Sequence, residues 1–226
     1  MDLKDMAEML EASGDYRVLR RLVPRRHPHL VDGSATRIGL FADVETTGLD
    51  PGRHELIELS MVSFTYALDG RIFAVGDAFQ RLRQPAEPIP REISVITGID
   101  NAMVAGQTIE PAEVDAFAAP AALVIAHNAA FDRRFLERFC PLFARKPWAC
   151  SLAQVDWAAE GHEGLKLVCL AAGAGFFYDR HRAERECPCR HRAVGDPAAQ
   201  ERHPPHPTPG TGVQADLAHL CGRLTL

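Results

Sequence analysis

Two carboxylates, Asp43 and Glu45, are two residues apart at the end of an apolar segment that is typical of a β-strand. Side chains alternate across a strand, so both acids share one face while Val44 packs on the other. Adjacent carboxylates repel each other, and a bridging Mg²⁺ or Mn²⁺ removes that repulsion while leaving positions for phosphate oxygens and water. The spacing alone is equally compatible with a metal site and with a solvated strand end followed by a turn.

A third carboxylate, Asp132, follows a second apolar segment, residues 122–126. This segment predicts a short buried strand, and Asn128 after it predicts the N-cap of a helix. Asp132 then falls in the first helical turn, where the helix dipole is expected to keep it ionised and able to bind a metal. An acid at a helix start also occurs without any chemical role. The predicted core face of this helix consists of Phe131, Phe135, Leu136 and Phe139.

The elements around these acids alternate between strands and helices. Residues 36–80 predict three strands, with a hairpin turn at Asp69–Gly70. A further strand is predicted near 148–151, and a Pro-rich loop covers 84–90. The predicted helices cover 3–12, 91–96, 111–118, 151–159 and 164–173. The pattern indicates an α/β domain with a mixed sheet.

Together, these segments resemble the DEDDh 3′-to-5′ exonucleases of the ribonuclease-H-like superfamily, which include the proofreading subunit of bacterial DNA polymerase III and the oligoribonucleases. The first motif of that family, D-x-E-T-T-G-L-D, matches residues 43–50, and the second, H-N-A-x-F-D, matches 127–132. Residues 93–99 resemble its I-x-x-x-T-G-I segment. The resemblance covers residues 36–186 and implies a ribonuclease-H-like mixed β-sheet flanked by helices.

The resemblance also implies roles for single residues. Asp43, Glu45 and Asp132 correspond to ligands of two Mg²⁺ or Mn²⁺ ions. The residues that correspond to the pocket for the 3′-terminal nucleotide are Thr46, Leu49, His127, Asn128 and Phe131.

A third motif, H-x-x-x-x-D, supplies a general base and one more ligand in the family. His181 with Glu186 is the favoured match, because it follows 165–177, which resemble the helix and loop expected before the motif. Glu stands there in place of Asp, and its extra methylene moves the carboxylate by more than an octahedral site readily accepts. This departure predicts reduced or absent activity.

A second match to the third motif lies ten residues further on. His191 and Asp196 have the expected residue types, but they follow Cys187–Pro188–Cys189 and precede Pro197, which would delay or bend the helix. The sequence therefore leaves two candidates for the third motif.

If the site assembles, the resemblance implies hydrolysis of phosphodiester bonds at nucleic-acid 3′ ends, with release of nucleoside 5′-monophosphates. His181 would take a proton from the attacking water, a role for which a near-neutral pKa is suited. The substrates would be the 3′ ends of single-stranded DNA or RNA, and the sequence does not choose between them. The alternative is a catalytically weakened nucleic-acid-binding module, or a partner subunit of a replication or repair assembly.

Charge and composition divide the chain into three parts. The net charge of −5 means that nucleic-acid binding must depend on local basic patches and metals. Residues 1–35 form a basic N-terminal helical segment and linker, in which a solvated helix face is favoured over a phosphate-binding patch. Residues 36–186 form the exonuclease domain. Residues 187–226 are rich in Pro and His and predict an irregular, disordered tail, for which a reading-frame change is one hypothesis.

The N-terminus, the apolar runs and the cysteines bear on the cellular location of the protein. The N-terminus lacks the basic start and apolar run of a signal peptide, and the longest apolar runs are too short to span a bilayer. Six scattered cysteines do not indicate a disulfide framework. These features predict a cytoplasmic protein with reduced cysteines.

Overall fold

A mixed five-stranded sheet organises the computed structural model, which describes residues 1–22 and 33–177. The strands are β1 (Arg20–Arg21), β2 (Thr36–Thr46), β3 (Leu56–Ala67), β4 (Ile72–Leu82), β5 (Leu123–Ala126), β6 (Trp148–Cys150) and β7 (Phe176–Phe177). The helices are α1 (Leu3–Ala12), α2 (Arg91–Thr97), α3 (Asn101–Val104), α4 (Pro111–Ala118), α5 (Ala129–Phe139) and α6 (Leu167–Gly173), with a 3₁₀ turn at Pro141–Arg145.

The strand order of the main sheet is β4-β3-β2-β5-β6. β3 runs antiparallel to both β2 and β4, whereas β2, β5 and β6 are parallel. The C-terminal ends of β2 and β5 therefore meet at one edge of the sheet, beside the start of α5. This arrangement confirms the predicted mixed α/β sheet flanked by helices.

The hairpin between β3 and β4 turns where the sequence predicted. Gly70 has φ of +92°, a conformation that L side chains rarely adopt, and its N–H donates to the Ala67 carbonyl. The Asp69 carboxylate accepts from the Arg71 N–H. Local turn chemistry thus helps to set the register in which β4 runs back along β3.

The two faces of the sheet bury different clusters. Leu40, Ala42 and Val44 of β2 face one cluster, which includes Val114, Ala118, Phe135, Leu136 and Phe143 of the following helices and turn. The opposite face carries a smaller cluster of Phe41, Val62, Phe64 and Ile72, against which Leu167 of α6 packs. α6 therefore covers the face of β2 that also carries Asp43 and Glu45.

Replacing Leu136 by alanine should lower the free energy of unfolding by about 2–5 kcal/mol, since a fully buried leucine leaves a cavity when it is truncated. Urea unfolding followed by circular dichroism measures this loss. Leu49→Ala is the matched control, because Leu49 is 79% exposed and its truncation should change stability by less than about 0.5 kcal/mol. Equal losses in the two variants would contradict the described core.

Two local predictions are wrong. Residues 151–159 form turns rather than a helix, because the Ser151 and Leu152 N–H groups donate to the distant Ala126 and His127 carbonyls. Within the turns, the buried Trp157 indole N–H donates to the Ser151 carbonyl at 2.6 Å. Arg20 and Arg21 lie in strand β1, not on a solvated helix face, because β1 pairs with β7. The other predicted helices and strands are confirmed to within a few residues.

Several predictions fall on residues outside the described ranges. They concern most of the linker, both versions of the third motif and the tail after residue 186. Within 1–22 and 33–177, no helix is both long and apolar enough to cross a lipid bilayer. The three cysteines in these ranges, Cys140, Cys150 and Cys169, form no disulfide.

Candidate active site

Asp43 and Glu45 lie on the same face of β2, as their spacing predicted. Both are half-buried, and Val44 between them is 5% exposed and packs into the larger cluster on the opposite face. Their cross-strand neighbours on β3 are Ser60 and Glu58. The pair therefore sits at the C-terminal end of the central strand, on the face covered by α6.

Asp132 connects α5 to this strand end. Its side chain is 3% exposed, and its Oδ1 accepts a hydrogen bond of 3.1 Å from the Val44 N–H, between the two other acids. Burial raises the pKa of the Asp132 carboxyl to about 7, although two backbone hydrogen bonds act in the opposite direction. Desolvation therefore opposes ionisation of this carboxyl, contrary to the expectation that the helix dipole keeps it ionised.

The donor chemistry at this strand end fits a hard divalent cation. Asp43 and Glu45 share one face of β2, and the Asp132 carboxyl bonds to the strand backbone between them. A buried carboxyl with a raised pKa is one that a nearby cation would stabilise in its ionised form. Within 1–22 and 33–177, however, no three His, Cys, Asp or Glu side chains are arranged to hold a metal ion. The described acids thus form a partial ligand set.

The turn after β2 is held by its own polar groups. The Thr46 hydroxyl donates to the Gly48 carbonyl at 2.7 Å, and Thr47 accepts from the Glu55 N–H. A Cβ on Gly48 would come within 2.4 Å of the His54 ring, so any larger residue there would have to displace that ring. Leu49 projects from this turn and is 79% exposed. Of the two predicted pocket residues on the turn, Leu49 is thus open to a ligand, whereas Thr46 uses its hydroxyl to shape the turn.

His127 makes a hydrogen bond through each ring nitrogen. Nε2 lies 2.7 Å from the Leu165 carbonyl oxygen, so it carries the proton and donates; Nδ1, 3.0 Å from the Ser151 hydroxyl, accepts. Burial lowers the pKa of His127, which favours this neutral form. The ring therefore joins the β5–α5 turn to the loop before α6.

Asn128 and Phe131, the other predicted pocket residues, flank the start of α5. Asn128 is exposed and occupies the N-cap position, but its side chain makes no capping hydrogen bond, contrary to the prediction. Its backbone ψ of 64° departs from the extended geometry of a capped start. Phe131 is half-buried, and its ring centroid lies 5.0 Å from that of Phe135.

Glu58 is a buried carboxylate near the site that the sequence analysis missed. It lies opposite Glu45 in the β2–β3 register, is 8% exposed, and accepts a hydrogen bond of 2.8 Å from the Gln80 side chain on β4. A strand-by-strand alignment of the predicted hairpins would have placed it there. Val95 and Ile96 of α2, beside Arg91, are exposed apolar side chains of the segment that resembles I-x-x-x-T-G-I.

The chain was compared with known protein families and proteins. A family model described as Exonuclease matches residues 40–198. The DNA polymerase III subunit epsilon of Aquifex aeolicus is 30% identical over 155 residues, which cover 66% of this chain and 71% of that protein. A DNA polymerase III subunit epsilon-like protein of Rhodobacter capsulatus is 33% identical over 171 residues, or 70% of this chain. The chain spans 22% of the length of that second relative.

Solved structures give more distant matches. The zinc-bound ExoI–ssDNA complex of E. coli matches with a TM-score of 0.49 and 16% identity, over 62% of this chain and 36% of that one. Exonuclease X in complex with 5′-overhanging duplex DNA matches with a TM-score of 0.42 and 25% identity, over 59% and 71% of the two chains.

Proposed function

The chain belongs to the exonuclease family, and we propose from that membership and from its carboxylate site that it is a metal-dependent 3′-to-5′ exonuclease. Its substrates would be the 3′ ends of single-stranded DNA or RNA, and its products nucleoside 5′-monophosphates. The observation that carries this proposal is the hydrogen bond between the Asp132 carboxyl and the Val44 N–H, which ties α5 to the strand that carries Asp43 and Glu45.

The proposed ligands of two Mg²⁺ or Mn²⁺ ions are Asp43, Glu45 and Asp132, completed by Glu186 or by Asp196. When bound, such ions activate water and stabilise the charge on the leaving oxygen. The role of the fold is to hold the carboxylates before the metal arrives. β2 fixes two of them on one face, and the buried start of α5 brings the third against the same strand.

Around this centre, the proposed contacts to the 3′-terminal nucleotide are Leu49, Asn128 and Phe131. An exposed leucine and a half-buried aromatic ring offer apolar surfaces to a base, which gives little sequence preference. The structure gives Thr46 and His127 internal hydrogen bonds, so their proposed contribution to the pocket is to fix its walls. His181 remains the proposed general base.

A test of the function is the stepwise shortening of a 5′-labelled single-stranded oligonucleotide. We expect a ladder that starts at full length and moves down by single nucleotides, with DNA and RNA compared in parallel. Internal fragments appearing before the terminal steps would contradict an exonuclease. A protein that binds the strand but leaves it intact would favour the weakened binding module.

Replacing Glu186 by aspartate separates the two candidate third motifs. If Glu186 is the ligand in use, E186D shortens the side chain to the length the site requires and should raise kcat by at least about 10-fold, since metal sites tolerate misplacement poorly. D196N is the matched variant and should then leave kcat within about twofold of wild type. An unchanged rate in E186D with a large loss in D196N would assign the motif to His191 and Asp196.

At the level of the whole protein, we propose that residues 36–186 form the exonuclease domain and that the protein acts in the cytoplasm, within a replication or repair assembly. The support is the family match to 40–198 and the polymerase III subunits among its relatives.

A further inference from the structure

Residues 13–22, the N-terminal arm, are tied to the end of α6 and to β7. The arm forms the two-residue parallel strand β1, in which Arg20 aligns with Phe176 and Arg21 with Phe177. The Arg20 N–H donates to the Gly175 carbonyl at 2.9 Å, and the Leu22 N–H donates to the Phe177 carbonyl at 2.7 Å. A segment outside the matched family region therefore adds a strand to the part of the domain that precedes the third motif.

Arg17 of the arm caps helix α6. Its Nη2 donates to the Ala172 carbonyl at 2.5 Å and to the Gly173 carbonyl at 3.2 Å. The last carbonyls of a helix lack partners within the helix, and a cation is favourable at that end of the dipole. The last turn of α6 contains no basic residue of its own. Arg17, 155 residues away in the sequence, supplies the positive charge that the last turn of α6 lacks.

The C-terminal end of α6, which Arg17 contacts, also packs closely against the rest of the domain. A Cβ on Gly173 would lie 2.4 Å from the His162 ring, which packs edge-on against Trp157 at 5.4 Å between ring centroids. The C-terminal end of α6 is therefore set against the 151–166 loop on one side, while its carbonyls are bonded by Arg17. His127 holds the same loop at Leu165, immediately before α6.

The position of α6 matters for the active site. Leu167 packs against the cluster of Phe41, Val62 and Phe64, on the face of the sheet that carries Asp43 and Glu45. A displacement of α6 would therefore change the packing of the face that carries Asp43 and Glu45.

We propose that the N-terminal arm is a brace that holds α6 and β7 against the carboxylate face, and that Arg17 is a positioning residue for that face. The brace follows from the contacts of residues 13–22; the consequence for catalysis rests on the proposed function. The arm is therefore a working part of the catalytic unit rather than a linker before it.

The test compares Arg17→Ala with Arg17→Lys, and with Arg138→Ala as the control at an exposed arginine on α5. Hydrogen–deuterium exchange of full-length protein is measured on peptides covering 167–177, and kcat and KM are measured on a 3′-labelled oligonucleotide. In Arg17→Ala, exchange in 167–177 should accelerate at least about 10-fold, while exchange in β2 and β3 stays as in wild type. kcat should fall about 10- to 100-fold with KM within about twofold.

Arg17→Lys keeps a donor and the positive charge, so it should recover part of both losses, whereas a merely general destabilisation would accelerate exchange in every strand. Leu22→Pro provides an independent variant, because it removes the N–H that bonds Phe177, and it should give the same local acceleration. Unchanged exchange in 167–177 would overturn the brace. Accelerated exchange with unchanged kcat would overturn its positioning role. Accelerated exchange in a chain whose wild type releases no nucleotide would support the brace and contradict the proposed exonuclease.

Discussion

Asp43→Ala is expected to lower the rate of nucleotide release by well over 100-fold in the presence of Mg²⁺. Asp43 is a proposed metal ligand, and even the groups that only orient ligands in metal sites cost about 10- to 100-fold when they are changed. The residue is half-buried at the surface end of β2, so its truncation should leave the fold intact. Initial rates on a single-stranded oligonucleotide measure the loss, and circular dichroism checks the fold.

The matched control is Asp77→Ala, which removes an exposed carboxylate from β4, the strand at the far edge of the sheet. Its rate should stay within about twofold of wild type. If Asp43→Ala retained more than a tenth of the wild-type rate, the metal centre would have to be placed elsewhere in the chain.

Asp132→Asn is expected to remove activity and at the same time to change how stability depends on pH. The amide keeps an oxygen that can accept from the Val44 N–H, but it cannot ionise. The pKa of Asp132 is raised to about 7 in the folded protein from 3.8. Between these values the folded state binds the proton more tightly than the unfolded chain, so wild-type stability falls as pH rises from about 4 to about 7.

The Asp132→Asn variant should lack this fall of stability with rising pH. Relative to its value at pH 4, the free energy of unfolding of Asp132→Asn should exceed that of wild type by on the order of a few kcal/mol at pH 7.5. Urea unfolding in EDTA at several pH values measures the difference, and the comparison between pH values cancels the constant cost of the buried amide. Parallel stability curves for the two proteins would show that Asp132 ionises in the fold without penalty.

The sheet and its acids could be predicted because their signals are local. Asp43 and Glu45 share a face through strand alternation alone, and the turn at Gly70 follows from the need for positive φ. The helices 3–12 and 111–118 also begin where local signals place them, the first after the Asp2 capping box and the second at Pro111.

The features that could not be predicted from the sequence depend on contacts between residues distant in the chain. The ionisation of Asp132 depends on how deeply α5 is buried against β2. The sequence of its own helical turn does not determine that burial. Residues 151–159 have a helix-compatible composition, yet the Ser151 hydroxyl bonds to His127 and the Ser151 N–H donates to the Ala126 carbonyl. The strand at Arg20 exists only because Phe176 lies beside it.

The central claim is that this chain removes nucleotides from 3′ ends with the help of divalent metal ions. The most direct measurement is the release of label from a single-stranded oligonucleotide carrying a 3′-terminal radiolabelled nucleotide, with Mg²⁺, Mn²⁺ or EDTA, and with identification of the first product by chromatography. We predict immediate release of the labelled nucleoside 5′-monophosphate with either metal and none with EDTA. Release that persists in EDTA, or a first product longer than one nucleotide, would contradict the account.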